Sequence, residues 1–229
     1  MKIFLNFLLL YFIISSCQKK EIKTKALHSY NDINEMFQLK NYKNQWKKKI
    51  NDSITRITAQ QGFFLLSGNF DTKNNAKEGI WNLKNKSDSK EIQIDYIVFG
   101  KNDAFENQII FKEHGKIDSS NSKFYLVENK NLHGLSYKFF SPKMKNEISK
   151  EAKVNYTIYR NKKEIKRDSA VYKNMQMKQG KYFIDLRFEF KKGDHVSGYF
   201  TEYVSSKSNT KTDSIFLGSN SIYFIEKFE

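Results

Sequence analysis

The sequence predicts a mainly β protein, in which an antiparallel sheet region and a C-terminal β-sandwich follow one or two N-terminal helices. Apolar and polar residues alternate along many short segments, such as Ile92–Val98 and Tyr182–Phe190, which is the pattern of half-buried strands. Aromatic residues make up 15% of the chain, and there is one proline. Large aromatic side chains bury much surface, so this composition indicates a packed core rather than a disordered chain.

Five segments follow one another along the 229 residues. Their composition and periodicity predict a signal peptide over 1–16, a polar, lysine-bearing tether over 17–30, a helical segment over 31–61, an antiparallel β region over 62–128 and a β-sandwich-like domain over 129–229. The part that follows the signal peptide is long enough for one large or two small β domains.

The first segment has the parts of a secretory signal peptide. Lys2 precedes the nearly unbroken apolar run Ile3–Ile14, and small residues follow this run. A membrane-spanning helix takes about 20 apolar residues, so the run is too short to cross a bilayer. Two alternatives stay open: an ordinary signal peptide with an incidental cysteine beside it, and an uncleaved N-terminal anchor.

The end of this run, Ile14-Ser15-Ser16-Cys17, resembles a bacterial lipobox: an aliphatic residue, two small residues and a cysteine. The resemblance implies that the Cys17 thiol receives a diacylglyceryl group and that cleavage leaves acylated Cys17 as the first residue. It implies an exported protein anchored by lipid to a bacterial envelope membrane, on its periplasmic or surface side. Cys17 is the only cysteine, so an internal disulfide and a cysteine-cluster metal site are excluded.

The chain is strongly basic, with a formal net charge of +15. Nearly all of its cations are lysines, and arginine occurs at four positions. Arginine supplies the planar fork that recognises phosphate and guanine, whereas lysine is a hydrated point charge. Together with export, this argues against a nucleic-acid partner and favours a solvated lysine surface drawn to anionic lipid or glycan.

The helical segment is predicted from apolar spacing. Trp46, Ile50, Ile54 and Ile57 recur at intervals of four, four and three residues, which places them in one stripe on an α-helix. Such a stripe more often packs on its own domain than on a partner.

The β region begins with a hairpin pattern. Gly68-Asn69-Phe70 and Glu78-Gly79-Ile80-Trp81 flank a turn, and the pair resembles one unit of a MORN-type repeat. That resemblance implies a glycine that allows close backbone approach and a tryptophan that packs across the hairpin. It covers about twenty residues without a clear second copy, whereas repeat proteins stack neighbouring units. A plain hairpin is the alternative.

The last hundred residues or so predict seven strands with the spacing of a β-sandwich. The predicted strands are Leu132–Phe140, Ala152–Tyr159, Ile165–Tyr172, Tyr182–Phe190, Val196–Val204, Ser214–Leu217 and Ile222–Phe228. The pattern resembles immunoglobulin-like and fibronectin-like sandwich modules, and Gly193–Tyr203 looks like the late strand of such modules in cell-envelope lipoproteins.

The sequence predicts no catalytic residue, no metal ligand and no cofactor. Asp194, His195 and Ser197 are the closest acid, base and hydroxyl, but a working triad brings its groups from separate segments to an oxyanion hole. Carboxylates elsewhere alternate with apolar residues along strands, which predicts solvated faces. Metal-ligand spacing is missing among the histidines, which are His28, His114, His133 and His195.

Exposed tyrosines give the one candidate binding surface: Tyr159, Tyr199 and Tyr203. Cross-strand packing explains these tyrosines equally well. The favoured function is a non-catalytic binding, structural or accessory module at a membrane surface, with an envelope protein or glycan as partner. One alternative is an envelope hydrolase acting on glycan or peptide through a carboxylate pair that the fold assembles. Another is an immunity-type lipoprotein.

Overall fold

The computed structural model describes residues 30–144, 146–173, 181–207 and 215–229. The chain divides into two compact units, Met1–Gln38 and Leu39–Glu229. The predicted signal peptide, Cys17, His28 and the predicted tether up to residue 29 lie outside the described residues. Helix α1 (Tyr30–Met36) belongs to the first unit, and all strands belong to the second.

The predicted helical segment over 31–61 is wrong beyond α1, and the stripe of Trp46, Ile50, Ile54 and Ile57 is not helical. A 3-10 turn at Leu39–Asn41 leads into two antiparallel strands, β1 (Asn44–Lys49) and β2 (Ile54–Gln61). The β-branched residues of β2 favour a strand, and the turn is closed by Asn51, whose Oδ1 accepts from the backbone N–H of Ile54 at 2.8 Å. The apparent helical spacing therefore spans a hairpin.

Seven strands form the first sheet, and each pairs with the next along the chain. After β1 and β2 come β3 (Phe64–Asp71), β4 (Ala76–Asn85), β5 (Lys90–Gly100), β6 (Asp103–Glu113) and the short β7 (Lys116–Ile117). One face of this meander is buried and apolar, and its members include Ile57, Leu66, Trp81, Leu83, Ile92, Ile94 and Ile109.

The hairpin of β3 and β4 is organised by a glycine and a tryptophan. A Cβ at Gly68 would lie far inside van der Waals contact with the Trp81 indole. The indole Nε1 donates a hydrogen bond to the Asn69 carbonyl oxygen at 2.7 Å. The ladder is irregular between Ser67 and Asn69, as at a β-bulge. The absence of a side chain at residue 68 thus makes room for a fully buried ring.

The other seven strands of the described residues form two sheets that face each other as a sandwich. One sheet has the order β12-β9-β8 and the other β11-β10-β13-β14. The bounds are β8 Phe124–Asn131, β9 Gly134–Phe140, β10 Glu147–Arg160, β11 Lys163–Lys173, β12 Lys181–Arg187, β13 His195–Lys207 and β14 Ile215–Lys227. The predicted mainly β, antiparallel fold is confirmed.

Two details of the sandwich differ from the sequence-based prediction. The boundary placed between residues 128 and 129 falls inside β8, which pairs with β9 and so belongs to the sandwich. The two last predicted strands are one, because β14 runs on through Gly218 and Asn220 in continuous register with β13. Polar residues in that stretch suggested a turn, but they lie within a paired strand.

Strand order also distinguishes this sandwich from the constant immunoglobulin arrangement, in which the fourth strand joins the first, second and fifth. Here the fourth strand, β11, pairs with β10 in the opposite sheet. Aromatic rings from both sheets fill the space between them. Phe139 stacks on Phe200 with ring centroids 4.8 Å apart, and Tyr137 lies 4.7 Å from Phe224.

Asn107 of β6 joins the first sheet to the edge of the sandwich. Its Nδ2 donates to the Tyr223 carbonyl oxygen at 3.0 Å, and the Tyr223 N–H donates to its Oδ1 at 2.7 Å. The side chain thereby satisfies the exposed edge of β14 as a neighbouring strand would. A β-bridge between Ile109 and Lys123 adds a second connection near the start of β8.

Tyr137 provides a test of the sandwich core. Its hydroxyl is buried without a hydrogen-bond partner among the described residues, and burial raises the pKa of Tyr137. Leaving a buried polar group unpaired costs about 1–3 kcal/mol, so Tyr137→Phe is expected to raise the free energy of unfolding by roughly 1 kcal/mol. Urea denaturation measures the change.

Tyr182→Phe is the matched control for that substitution, because the Tyr182 hydroxyl donates to Glu202. Losing this hydrogen bond is expected to lower the free energy of unfolding by about 1–3 kcal/mol. A loss of stability in Tyr137→Phe comparable to that in Tyr182→Phe would contradict the unpaired state of the Tyr137 hydroxyl.

Candidate functional site

The three tyrosines of the predicted binding surface lie on one face. Tyr199 and Tyr203 project outward from β13 and are 51% and 56% exposed. Tyr159 of β10 is paired with His195 of β13, so it lies on the same side of the sheet. The Tyr159 and His195 rings stack with centroids 4.7 Å apart. We call this outward surface of the four-stranded sheet the tyrosine face.

The tyrosine face combines rings, hydroxyl groups and an apolar margin. Tyr199 and Tyr203 lie four residues apart along β13, which is roughly 13 Å at the rise of a strand. Thr201 lies between them, with its Oγ1 3.3 Å from the Ser221 hydroxyl. On β14 the same face exposes Leu217, at 84%. Such a surface offers ring faces for stacking, with hydrogen-bonding groups between them.

The inward face of β13 carries a buried carboxylate, where the sequence predicted a solvent-exposed one. Glu202 is fully buried between Phe200 and Val204, so the prediction that strand carboxylates lie on solvated faces is wrong here. The hydroxyl groups of Ser141 and Tyr182 donate to its two oxygens. The period-two pattern could have revealed it, because Glu202 falls in step with the apolar residues on either side.

Two further donors complete the surroundings of Glu202. Asn220 Nδ2 donates to Oε2 at 3.0 Å, and Lys150 Nζ lies 3.4 Å from Oε1. A carboxylate has about four acceptor sites, and here four groups occupy them. Lys150 Nζ also lies 2.9 Å from Glu147 Oε2, so two carboxylates meet at one buried ammonium. The arrangement is a closed ion-pair network, which we call the Glu202 network.

Accessibility separates the Glu202 network from an acid–base pair. The Glu202 side chain has no exposed surface, and that of Lys150 is 6% exposed. Glycoside hydrolysis needs two carboxyl groups that reach the sugar. Both oxygens of Glu202 are held by donors inside the sandwich, and the network links Tyr182 of one sheet with Lys150 and Asn220 of the other.

Asp194, His195 and Ser197 do not converge as a triad. Arg160 binds the Asp194 carboxylate with two hydrogen bonds, Nε to Oδ1 at 2.9 Å and Nη2 to Oδ2 at 2.7 Å. The backbone N–H of Lys191 donates to Oδ2 at 2.8 Å. These contacts fix the turn that precedes β13. Hydrogen bonding from Arg160 lowers the pKa of Asp194 below its ordinary value.

This ion pair predicts a pH dependence of stability. Because the pKa of Asp194 is lower in the folded protein than its unfolded value of about 3.9, its contribution is complete above about pH 4 and is lost as the pH falls through the folded pKa. Unfolding of wild type and Asp194→Asn should therefore differ most between about pH 5 and 7, and the difference should shrink below about pH 4.

Asp52→Asn is the control for that titration, because the Asp52 side chain is fully exposed beside Lys49. Its effect on stability is expected to be small across the same pH range. A difference between wild type and Asp194→Asn that grows on acidification would contradict the assigned role of Arg160.

Lys77 of β4 and Lys123, which directly precedes β8, are the most strongly perturbed bases of the described residues. Burial lowers the pKa of Lys77 and of Lys123 to about 8, while Glu106 opposes the shift. Lys123 Nζ donates to the Glu106 carbonyl oxygen at 2.7 Å, and Lys77 Nζ donates to the Tyr96 hydroxyl at 3.3 Å. Both ammonium groups also lie over aromatic rings. Packing and cation–π contact account for this cluster.

The described ranges contain neither a cluster of metal ligands nor a membrane-spanning helix. No group of three or more His, Cys, Asp or Glu residues there is placed to hold a metal ion. None of the helices described there is long and apolar enough to span a bilayer.

Comparison of the chain with known protein families, curated proteins and solved structures gives no match in any of the three.

Proposed function

We propose that the chain is a bacterial envelope lipoprotein, held at a membrane by acylated Cys17, whose sandwich is a non-catalytic binding module. The lone cysteine supports the anchor, since it follows an aliphatic residue and two serines at the end of the signal peptide. Several acyl chains on one residue hold a protein on a membrane durably, because each buried methylene contributes about 0.8 kcal/mol.

The observation that carries the binding role is the exposure of Tyr199 and Tyr203 on one face of β13, where each keeps more than half of its surface. Tyrosine is enriched in binding surfaces because a rigid ring and a polar tip give much contact area at little entropic cost. Cross-strand pairing of Tyr199 with Tyr223 stiffens the sheet and leaves the outer ring surfaces free for a protein or glycan partner.

Site-specific photo-crosslinking tests this role in the intact envelope. A benzoylphenylalanine replaces Tyr199 in the lipidated full chain, and the same probe replaces Phe183 as the control. Phe183 is 50% exposed and lies on β12 of the other sheet. We expect a discrete adduct from position 199 that is lost when Tyr203 is changed to alanine. Equal adducts from both positions, or none from position 199, would contradict the tyrosine face as the contact surface.

A further inference from the structure

Strand β1 is the exposed edge of the first sheet. It pairs with β2 at the end of the strand order, and all six of its residues are exposed. Trp46 is 56% exposed and Ile50, just past the strand, is 55% exposed. The chain's other tryptophan, Trp81, is fully buried. A large amphipathic ring therefore stands on an open edge. We call Trp46–Ile50 the basic edge.

Positive charge is concentrated on the basic edge. Lys47, Lys48 and Lys49 are consecutive, and Arg56 of β2 is paired with Lys48. Among the described residues, the acidic side chain paired with the edge is that of Asp52, whose Oδ1 lies 2.8 Å from Lys49 Nζ with both groups well exposed. Three exposed lysines thus lie along the edge beside the half-buried Arg56, and one exposed carboxylate lies among them. This excess of positive charge complements an anionic surface.

Protection against strand pairing explains only part of this arrangement. Lysines on an edge strand discourage pairing with another chain, but an exposed tryptophan and isoleucine beside them do not serve that purpose. Tryptophan favours the membrane interface, where its ring is apolar and its N–H meets water. Lysines near an anionic bilayer are attracted to its headgroups. The two residue types together match an anionic lipid surface.

We propose that the basic edge rests on the anionic headgroups of the membrane that carries the lipid anchor, with Trp46 at the headgroup level. The inference builds on the proposed function, because acylation at Cys17 keeps the protein beside that surface. In sequence, β1 is the strand nearest to Cys17. Contact between the basic edge and the membrane then restricts the orientations that the second unit can take on that membrane.

Trp46 is itself the reporter for this contact. The acylated full chain is reconstituted in phosphatidylglycerol vesicles whose acyl chains carry bromine, a quencher of nearby tryptophan. Quenching is expected in these vesicles and not in brominated phosphatidylcholine vesicles, and 1 M salt should reduce it because charges are screened within about 3 Å. Trp46→Phe leaves buried Trp81 as the background signal.

Charge variants test the role of the lysines. A lysine near an anionic surface favours binding about fivefold, so Lys47→Gln/Lys48→Gln/Lys49→Gln should lower the ratio of docked to undocked protein roughly a hundredfold. The matched control is a triple Lys→Gln change of exposed lysines in or beside sandwich turns, at Lys162, Lys163 and Lys192. It should leave Trp46 quenching unchanged.

Several results would overturn the proposal: equal quenching in both lipids, an unchanged signal in the β1 variant, or cross-links showing that β1 pairs with a second copy of the chain.

Intact mass of the same sample reports acylation separately. Cosedimentation of the unacylated Cys17→Ala chain with the same vesicles then tests the basic edge without the anchor. We expect the unacylated chain to lose vesicle binding when it carries Lys47→Gln/Lys48→Gln/Lys49→Gln. Equal binding with and without these substitutions would contradict the proposal.

Discussion

Glu202→Ala is expected to lower the free energy of unfolding by about 3–5 kcal/mol, the usual cost of removing one partner of a buried ion pair. Lys150 would keep a charge inside the sandwich, with Glu147 as its remaining carboxylate partner. The hydroxyl groups of Ser141 and Tyr182 would lose their acceptor. Urea denaturation followed by circular dichroism measures the loss.

Two comparisons make this prediction specific. Glu151→Ala removes an exposed carboxylate on β10, and surface changes of that kind usually stay within about 0.5 kcal/mol. Glu202→Leu combined with Lys150→Met removes both charges, and apolar replacement of a buried pair is often neutral. We expect this double variant to recover the part of the loss that comes from the buried Lys150 charge, while the hydroxyl groups of Ser141 and Tyr182 still lack their acceptor. A Glu202→Ala effect as small as that of Glu151→Ala would contradict the network.

Gly68→Ala should cost roughly as much as truncating the buried tryptophan beside it, about 3–5 kcal/mol. The added methyl group would occupy space that the Trp81 ring fills. The ring can yield only by giving up its hydrogen bond to the Asn69 carbonyl oxygen and its place in the buried face. In a Trp46→Phe background, the red shift of Trp81 fluorescence reports the displacement.

Gly100→Ala is the control for this substitution, because a Cβ at Gly100 would meet no atom within 4 Å. Both changes add one methyl group to a glycine in a strand of the same sheet. If the two variants were equally stable and Trp81 emission stayed unshifted, close packing of the indole on Gly68 would be refuted.

Alternation along strands predicted the sandwich because each of its strands has a buried and an open face. The β1–β2 hairpin was not predicted, because the apolar residues that suggested one helix lie on two strands. Trp46 is on β1 and Ile54 is on β2, and the turn at Asn51 separates them. Thr58 is the residue paired with Trp46, so Ile57 faces the opposite side of the sheet. When a polar turn falls between apolar residues, the spacing of those residues alone cannot distinguish a hairpin from a helix.

The tyrosine face and the Glu202 network differ in what the sequence could reveal. Tyr199 and Tyr203 share a face through the period of one strand, whereas Tyr159 joins them through the register of β10 with β13. Glu202 accepts a hydrogen bond from Ser141, which lies 61 residues away in the sequence. Only the folding of both sheets brings such partners together, so the sequence could place the carboxylate inward without naming its donors.

Intact mass of the protein extracted from membranes tests the central claim, anchoring through Cys17, most directly. The lipoprotein proposal predicts a chain that begins at Cys17 and carries acyl chains, and it predicts that this species is lost in Cys17→Ala. A free Cys17 thiol on the extracted chain, or the same mass shift and membrane retention in both proteins, would contradict it.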